Sequence, residues 1–130
     1  MIYSYKNNQP QIHPSVFIAP TAQIIGNVCI GKSSSVWFQA VIRGDLDSIS
    51  IGAITNIQYL CVCPADETIP LKIGAGLPIC HHSVIHESTI DDCCLICIGA
   101  ILMNRAAVVR TSSIVSADDT LKHAIMHPLL

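Results

Sequence analysis

Aliphatic residues recur at every sixth position along the first third of the chain: Ile12, Ile18, Ile24, Ile30, Val36 and Ile42. An α-helix turns through about 100° per residue, so a six-residue step would scatter these side chains over several faces. In a strand, six residues are a whole number of two-residue pleats, and all of these side chains point the same way. The period excludes a helical reading. It predicts an all-β fold, a parallel β-helix of about seven triangular coils in which each hexapeptide supplies one short strand and one corner. Each coil then covers the aliphatic residues of the one before it.

The breaks in the period are as informative as the period itself. After Ile42 the next members are Ile51, Ile57 and Cys63, and the longer first interval holds IRGDLDSI, enough for a small loop. CPADETIP follows as a second polar, proline-marked excursion. The beat resumes at Ile73, Ile79 and Ile85, shortens by one residue, and continues through Ile90, Ile96 and Leu102. Beyond Leu102 two phases compete, Val108 with Ile114 or Val109 with Val115. No linker interrupts residues 1–130, so a single domain is expected, its tail DDTLKHAIMHPLL forming a last irregular coil or the start of another segment. Glycine follows the aliphatic residue at Gly26, Gly31, Gly52 and Gly74, and corners that need unusual backbone angles would explain it. Later the equivalent positions hold Cys80, Asp91, Cys97 and Arg110, and on that reasoning the C-terminal half should be the less regular β-helix.

Composition narrows the function classes. Half of the chain is apolar (51%), only 12% is charged and 5% is aromatic, which suits a thin core of Ile and Val. A formal net charge of −2 leaves no electrostatic footprint for nucleic acid. No apolar run has the length of a membrane span. The start, MIYSYKNNQPQIHPS, lacks the basic and apolar regions of a secretory signal, so a cytoplasmic location is expected. There the seven cysteines would be reduced thiols.

Several residues invite a chemical reading and a plainer one. His81 and His86 have the spacing H-x4-H, which suits two ligands of one metal and also arises by chance. Gln58 continues a polar column outside the coil. Arg43-Gly44-Asp45 makes a good turn. Cys61-Val62-Cys63 and the group Cys93, Cys94 and Cys97 lack the C-x2-C pairing of a zinc knuckle and read as small buried apolar residues. Trp37 and Phe38 suit packing on a coil face or against another subunit. Asp66 and Glu67 suit a solvated loop, with proton transfer as the alternative.

The segments SVWFQAVIRGDLDSISIGAITNIQ, PLKIG and CHHSVIHESTIDDCCLICIGAIL together resemble the γ-class carbonic anhydrases over roughly residues 9 to 118. The most specific stretch is VWFQAVIRGD with the later TNIQ. The resemblance implies a left-handed β-helix of the hexapeptide-repeat superfamily, assembled as a homotrimer, with a C-terminal helix that is expected to be missing here. It further implies zinc held by three histidines between subunits, where a metal-bound hydroxide hydrates CO2 to bicarbonate. His81 and His86 match two of those ligands, contributed by neighbouring subunits. The third falls eight residues after Asn56 and is Pro64 here, which has no ligand atom. Cys63 and His82 stand beside ligand positions but with the wrong strand parity. Gln58 matches a residue that hydrogen-bonds near the hydroxide. Arg43 and Asp45 match an element that forms interface ion pairs. Tyr59 replaces the aspartate of the family's N-[IV]-Q-D motif, which would leave Arg43 partly unpaired in a buried place.

A catalytic zinc site holds three protein ligands and one water, and the metal brings the pKa of that water to about 7. With Pro64 in place of a ligand, zinc binding and CO2 hydration are expected to be weak or absent. Two alternatives keep the fold. One is a non-catalytic trimer descended from such an enzyme. The other is a hexapeptide acyltransferase with an acyl-CoA donor, in which His81 or His86 would be the general base.

Overall fold

The computed structural model describes residues 1–114 and the short strands Thr120–Leu121 and Ile125–Met126. The expected coil in the tail DDTLKHAIMHPLL lies, apart from those two strands, outside the described residues, and so does Val115. The described residues contain strands and no helix, and none therefore is long and apolar enough to cross a membrane. The fold is a left-handed parallel β-helix of about six turns.

Three columns of inward side chains run the length of the solenoid. In the first, Ile12 pairs with Ile30, then Ile51, Ile73, Ile90 and Val108. The second carries Ile18, Val36, Ile57, Ile79, Ile96 and Ile114. The third stacks Ile24, Ile42 and Cys63, and continues from Ile85 to Leu102. All are buried except Ile12 and Ile18, which pack against the core from its N-terminal end. Val108 and Ile114 keep the period, so the slipped phase is excluded. All seven cysteines are free, with Cys61, Cys63 and Cys94 buried.

The two interruptions differ in kind. Val41–Ile51 runs as one strand past the first, with a bulge: the pairing jumps from Gly26–Gly44 to Val28–Ile49. The second is a true excursion, closed by an antiparallel bridge between Asp66 and Ile69.

The corners correct the sequence reading. Of the four glycines that follow an aliphatic residue, Gly26 has a positive φ (76°), whereas Gly31, Gly52 and Gly74 do not. A Cβ on Gly52 would lie 2.6 Å from the carbonyl carbon and oxygen of Gly74, and one on Gly31 would lie 2.7 Å from the Ala53 nitrogen. These glycines are required by the close approach of successive coils. The left-handed residue comes two places later, three residues after the inward aliphatic. It is Ser33, Gln39, Ile54, Leu60, His82, Cys93, Arg105 and Thr111, with Gly76 and Gly99 at equivalent positions. Cys80, Asp91, Cys97 and Arg110 therefore occupy positions with no need for φ > 0, and the C-terminal coils keep the same register as the N-terminal ones.

Two substitutions separate these corner requirements. Gly52→Ala presses a methyl group onto backbone that cannot turn away, and overpacking of that kind costs about 1–3 kcal/mol. Ile54 is β-branched, left-handed (φ 56°) and 66% exposed. Ile54→Asn should stabilise by about 1 kcal/mol, because asparagine tolerates this region far better. Thermal unfolding followed by circular dichroism should show the midpoint falling for the first variant and rising for the second. If Gly52→Ala is neutral, the close-approach account is wrong.

Candidate metal centre

Outward residues near the corners fall into columns just as the inward ones do. Directly after the second aliphatic column come Trp37, Gln58, Cys80 and Cys97, whose N–H groups donate to Ile57, Ile79, Ile96 and Ile114. One place on, Phe38, Tyr59 and His81 line up along the edge. Tyr59 lies with its ring centroid 5.1 Å from that of His81, 5.6 Å from Trp37 and 6.0 Å, stacked, from Phe38, and Trp37 in turn lies 5.1 Å from Phe17. His81 thus terminates an aromatic ladder, and its Nδ1 is buried without a hydrogen-bond partner. Gln58 is half-buried one residue before Tyr59.

His86 stands on a different face. It follows Ile85, and the Val62–Val84 register places it one coil beyond Pro64, which itself pairs with Arg43. Position 64 is therefore directly beside His86 in the outward column, and proline contributes neither a ligand atom nor a backbone N–H there. Its neighbours do not substitute. Cys63 points inward and is wholly buried, and desolvation pushes its thiol far above the ordinary range, away from the thiolate that binds metals. Burial likewise pushes Cys61 up to about 11. His82 occupies an exposed left-handed corner (φ 59°). A complete three-histidine set does not fit these residues.

Arg43 and Asp45 pair with each other: Nε donates to Oδ1 at 2.8 Å, with the side chains 49% and 20% exposed. Within the single chain Arg43 thus has an acceptor of its own in Asp45. Arg43 is an outward residue of the strand Val41–Ile51, and Asp45, two residues on, lies on the same side of the pleat.

The residue that sequence reasoning passed over is Glu87. It is 1% exposed, and neither carboxylate oxygen has a hydrogen-bond partner. Its Oε1 lies 3.6 Å from Nδ1 of His86, which also lacks a hydrogen-bond partner. The excursion after Pro64 brings Asp66 to the same place, so that one ligand atom from each of Asp66, His86 and Glu87 lies within 4.8 Å of the others. It is the one such group of three among the described residues, and His81 is not in it. The signal in the sequence was an acid beside a candidate histidine, in the one interval where the beat shortens.

No family model matches the chain. It is 39% identical over 108 residues to a carbonic anhydrase of Geobacillus kaustophilus, covering 83% of this chain and 59% of that protein. It is 36% identical over 122 residues to the mitochondrial gamma carbonic anhydrase 2 of Arabidopsis thaliana, covering 89% of this chain and 44% of that one. The chain thus spans about half the length of these curated relatives. A crystal structure from Bacillus cereus, whose description names an acetyltransferase, superposes with a TM-score of 0.78 at 32% identity, over 90% of this chain and 72% of that one. Taken with the hexapeptide columns and the placement of His81 and His86, these likenesses show that the chain belongs to the γ-carbonic-anhydrase-like family of hexapeptide-repeat β-helices.

Proposed function

We propose that this protein is a γ-carbonic-anhydrase-type protein acting on CO2 and bicarbonate at a site between copies of the chain, with activity limited by the proline at position 64. One observation carries the reading: His81 and His86 both present a buried, unpartnered ring nitrogen, on different faces of the solenoid. Two such histidines serve one centre when the His81 edge of one copy meets the His86 face of another, as in a homotrimer. Zinc is the metal that the family implies for this centre, and with proline at position 64 its histidine set is incomplete. Gln58, one coil before Cys80 and close to the His81 edge, would orient a water or bicarbonate oxygen. Arg43 and Asp45, on the face that carries Pro64 and His86, would lie at the rim of the contact.

Pro64→His restores a ligand type at the position beside His86. The expected outcome is zinc held in the purified oligomer through His81, and lost from that centre when His81→Ala is added to Pro64→His. CO2 hydration by stopped-flow should rise on the order of tenfold to a hundredfold, the scale on which metal sites respond to their immediate surroundings. A folded Pro64→His oligomer whose zinc does not depend on His81 and whose activity is not raised would refute the reading.

A second reading has one observation in its favour, the TM-score of 0.78 with the B. cereus structure described as an acetyltransferase. Here His81 or His86 would take a proton from an acceptor hydroxyl or amine. Binding of coenzyme A would raise the thermal midpoint of the oligomer by mass action. An unchanged midpoint at millimolar coenzyme A would remove this alternative.

A further inference from the structure

We infer that Asp66, His86 and Glu87 form a divalent-metal site within a single chain, distinct from a three-histidine centre between subunits. The inference begins with Glu87. A carboxylate taken out of water without a donor is costly to bury, and ionised groups in such places are paired or coordinate metals. Among the described residues no lysine or arginine pairs with Glu87, and the ion pairs among them are Arg43–Asp45, His86–Glu87 and Arg110–Asp92. The separation of 3.6 Å between Glu87 Oε1 and His86 Nδ1 is too long for a hydrogen bond. It suits two ligands of one ion, because donors each about 2.1 Å from a tetrahedral metal lie roughly 3.4 Å apart.

The donor set also points to a class of ion. Imidazole favours zinc and its first-row neighbours, while carboxylates extend the range toward manganese. Three protein ligands leave at least one position open to water. Asp66 is exposed on its loop and Glu87 is enclosed behind it, so the ion would enter from the Asp66 side. The site draws both carboxylates from residues other than Pro64, and His86 is the residue it shares with the proposed interface centre.

The test is titration of the full-length, metal-free oligomer with Zn2+ by calorimetry, repeated with Co2+ and followed by visible absorption. Wild-type chain should bind one ion per chain. Glu87→Gln and Asp66→Asn should each weaken binding about tenfold or more, while His81→Ala leaves it unchanged. Zn2+ should raise the thermal midpoint of the wild type and not that of Glu87→Gln, whose metal-free form should unfold no lower than the metal-free wild type. Absence of binding to wild type, or unchanged affinity in both carboxylate variants, overturns the proposal. Loss of binding in His81→Ala with full binding in Glu87→Gln also overturns it, placing the ion at the interface histidines and leaving the anhydrase reading intact. Conversely, an ion held through Glu87, with no CO2 hydration by either wild type or Pro64→His, sustains this site and refutes the anhydrase reading.

Discussion

Everything in this molecule depends on one coil lying flat on the next. The parallel ladders set the spacing between neighbouring coils at about 4.8 Å, and that spacing decides both what fills the centre and what fits at the corners. At the centre it selects one aliphatic side chain per strand, so that each Ile or Val touches its equivalents above and below. At the corners it leaves no room for a Cβ where Gly31, Gly52 and Gly74 follow one another. At ten corners it also turns the chain through a left-handed residue three places after the aliphatic residue, whatever the side chain there. Leu60, Gln39 and Arg105 all adopt this conformation, although each would avoid it in isolation. Burial of the columns on either side outweighs that local cost.

This hierarchy explains which features were legible in the sequence. The inward columns were, because burial imposes a strict chemical preference at a fixed period. Even Cys63, a weak member, could be assigned inward by parity alone. The bulge within Val41–Ile51 and the excursion at Asp66–Ile69 also announced themselves as extra residues. The corners did not, because the stacking tolerates almost any residue at the left-handed position and so leaves no compositional trace. Glycine, which ordinarily marks positive φ, here mostly marks close approach between coils.

Outward residues carry less information still, since water accepts most side chains. The resemblance drew attention to Gln58, His81 and His86, and register shows what residue spacing along the chain could not: His81 ends an aromatic edge, whereas His86 belongs to the column of Arg43 and Pro64. Two histidines five residues apart therefore diverge onto separate faces. A centre using both must be assembled from more than one copy, and a centre within one chain must recruit other donors around His86.

The origin of such donors lies in a single missing residue. Ten corners place their left-handed residue third after the aliphatic, as Arg105 is after Leu102. Between Ile85 and Ile90 the interval is one shorter, and the left-handed turn moves forward to the second place, Glu87 (φ 45°). The register from Lys72 to Thr89 then puts Ser88 at the inward slot filled by Leu71 one coil earlier, and its hydroxyl is buried with no hydrogen-bond partner. One coil later, where the full interval returns, the second residue after the aliphatic is Asn104, and it is exposed. The shortened corner is thus what draws a carboxylate out of solvent and sets it against the ring of His86. Aliphatic packing alone gives no reason for this, since a carboxylate buried without a donor weakens a β-helix. A bound cation supplies one, because it turns the least favourable corner of the solenoid into a set of ligands.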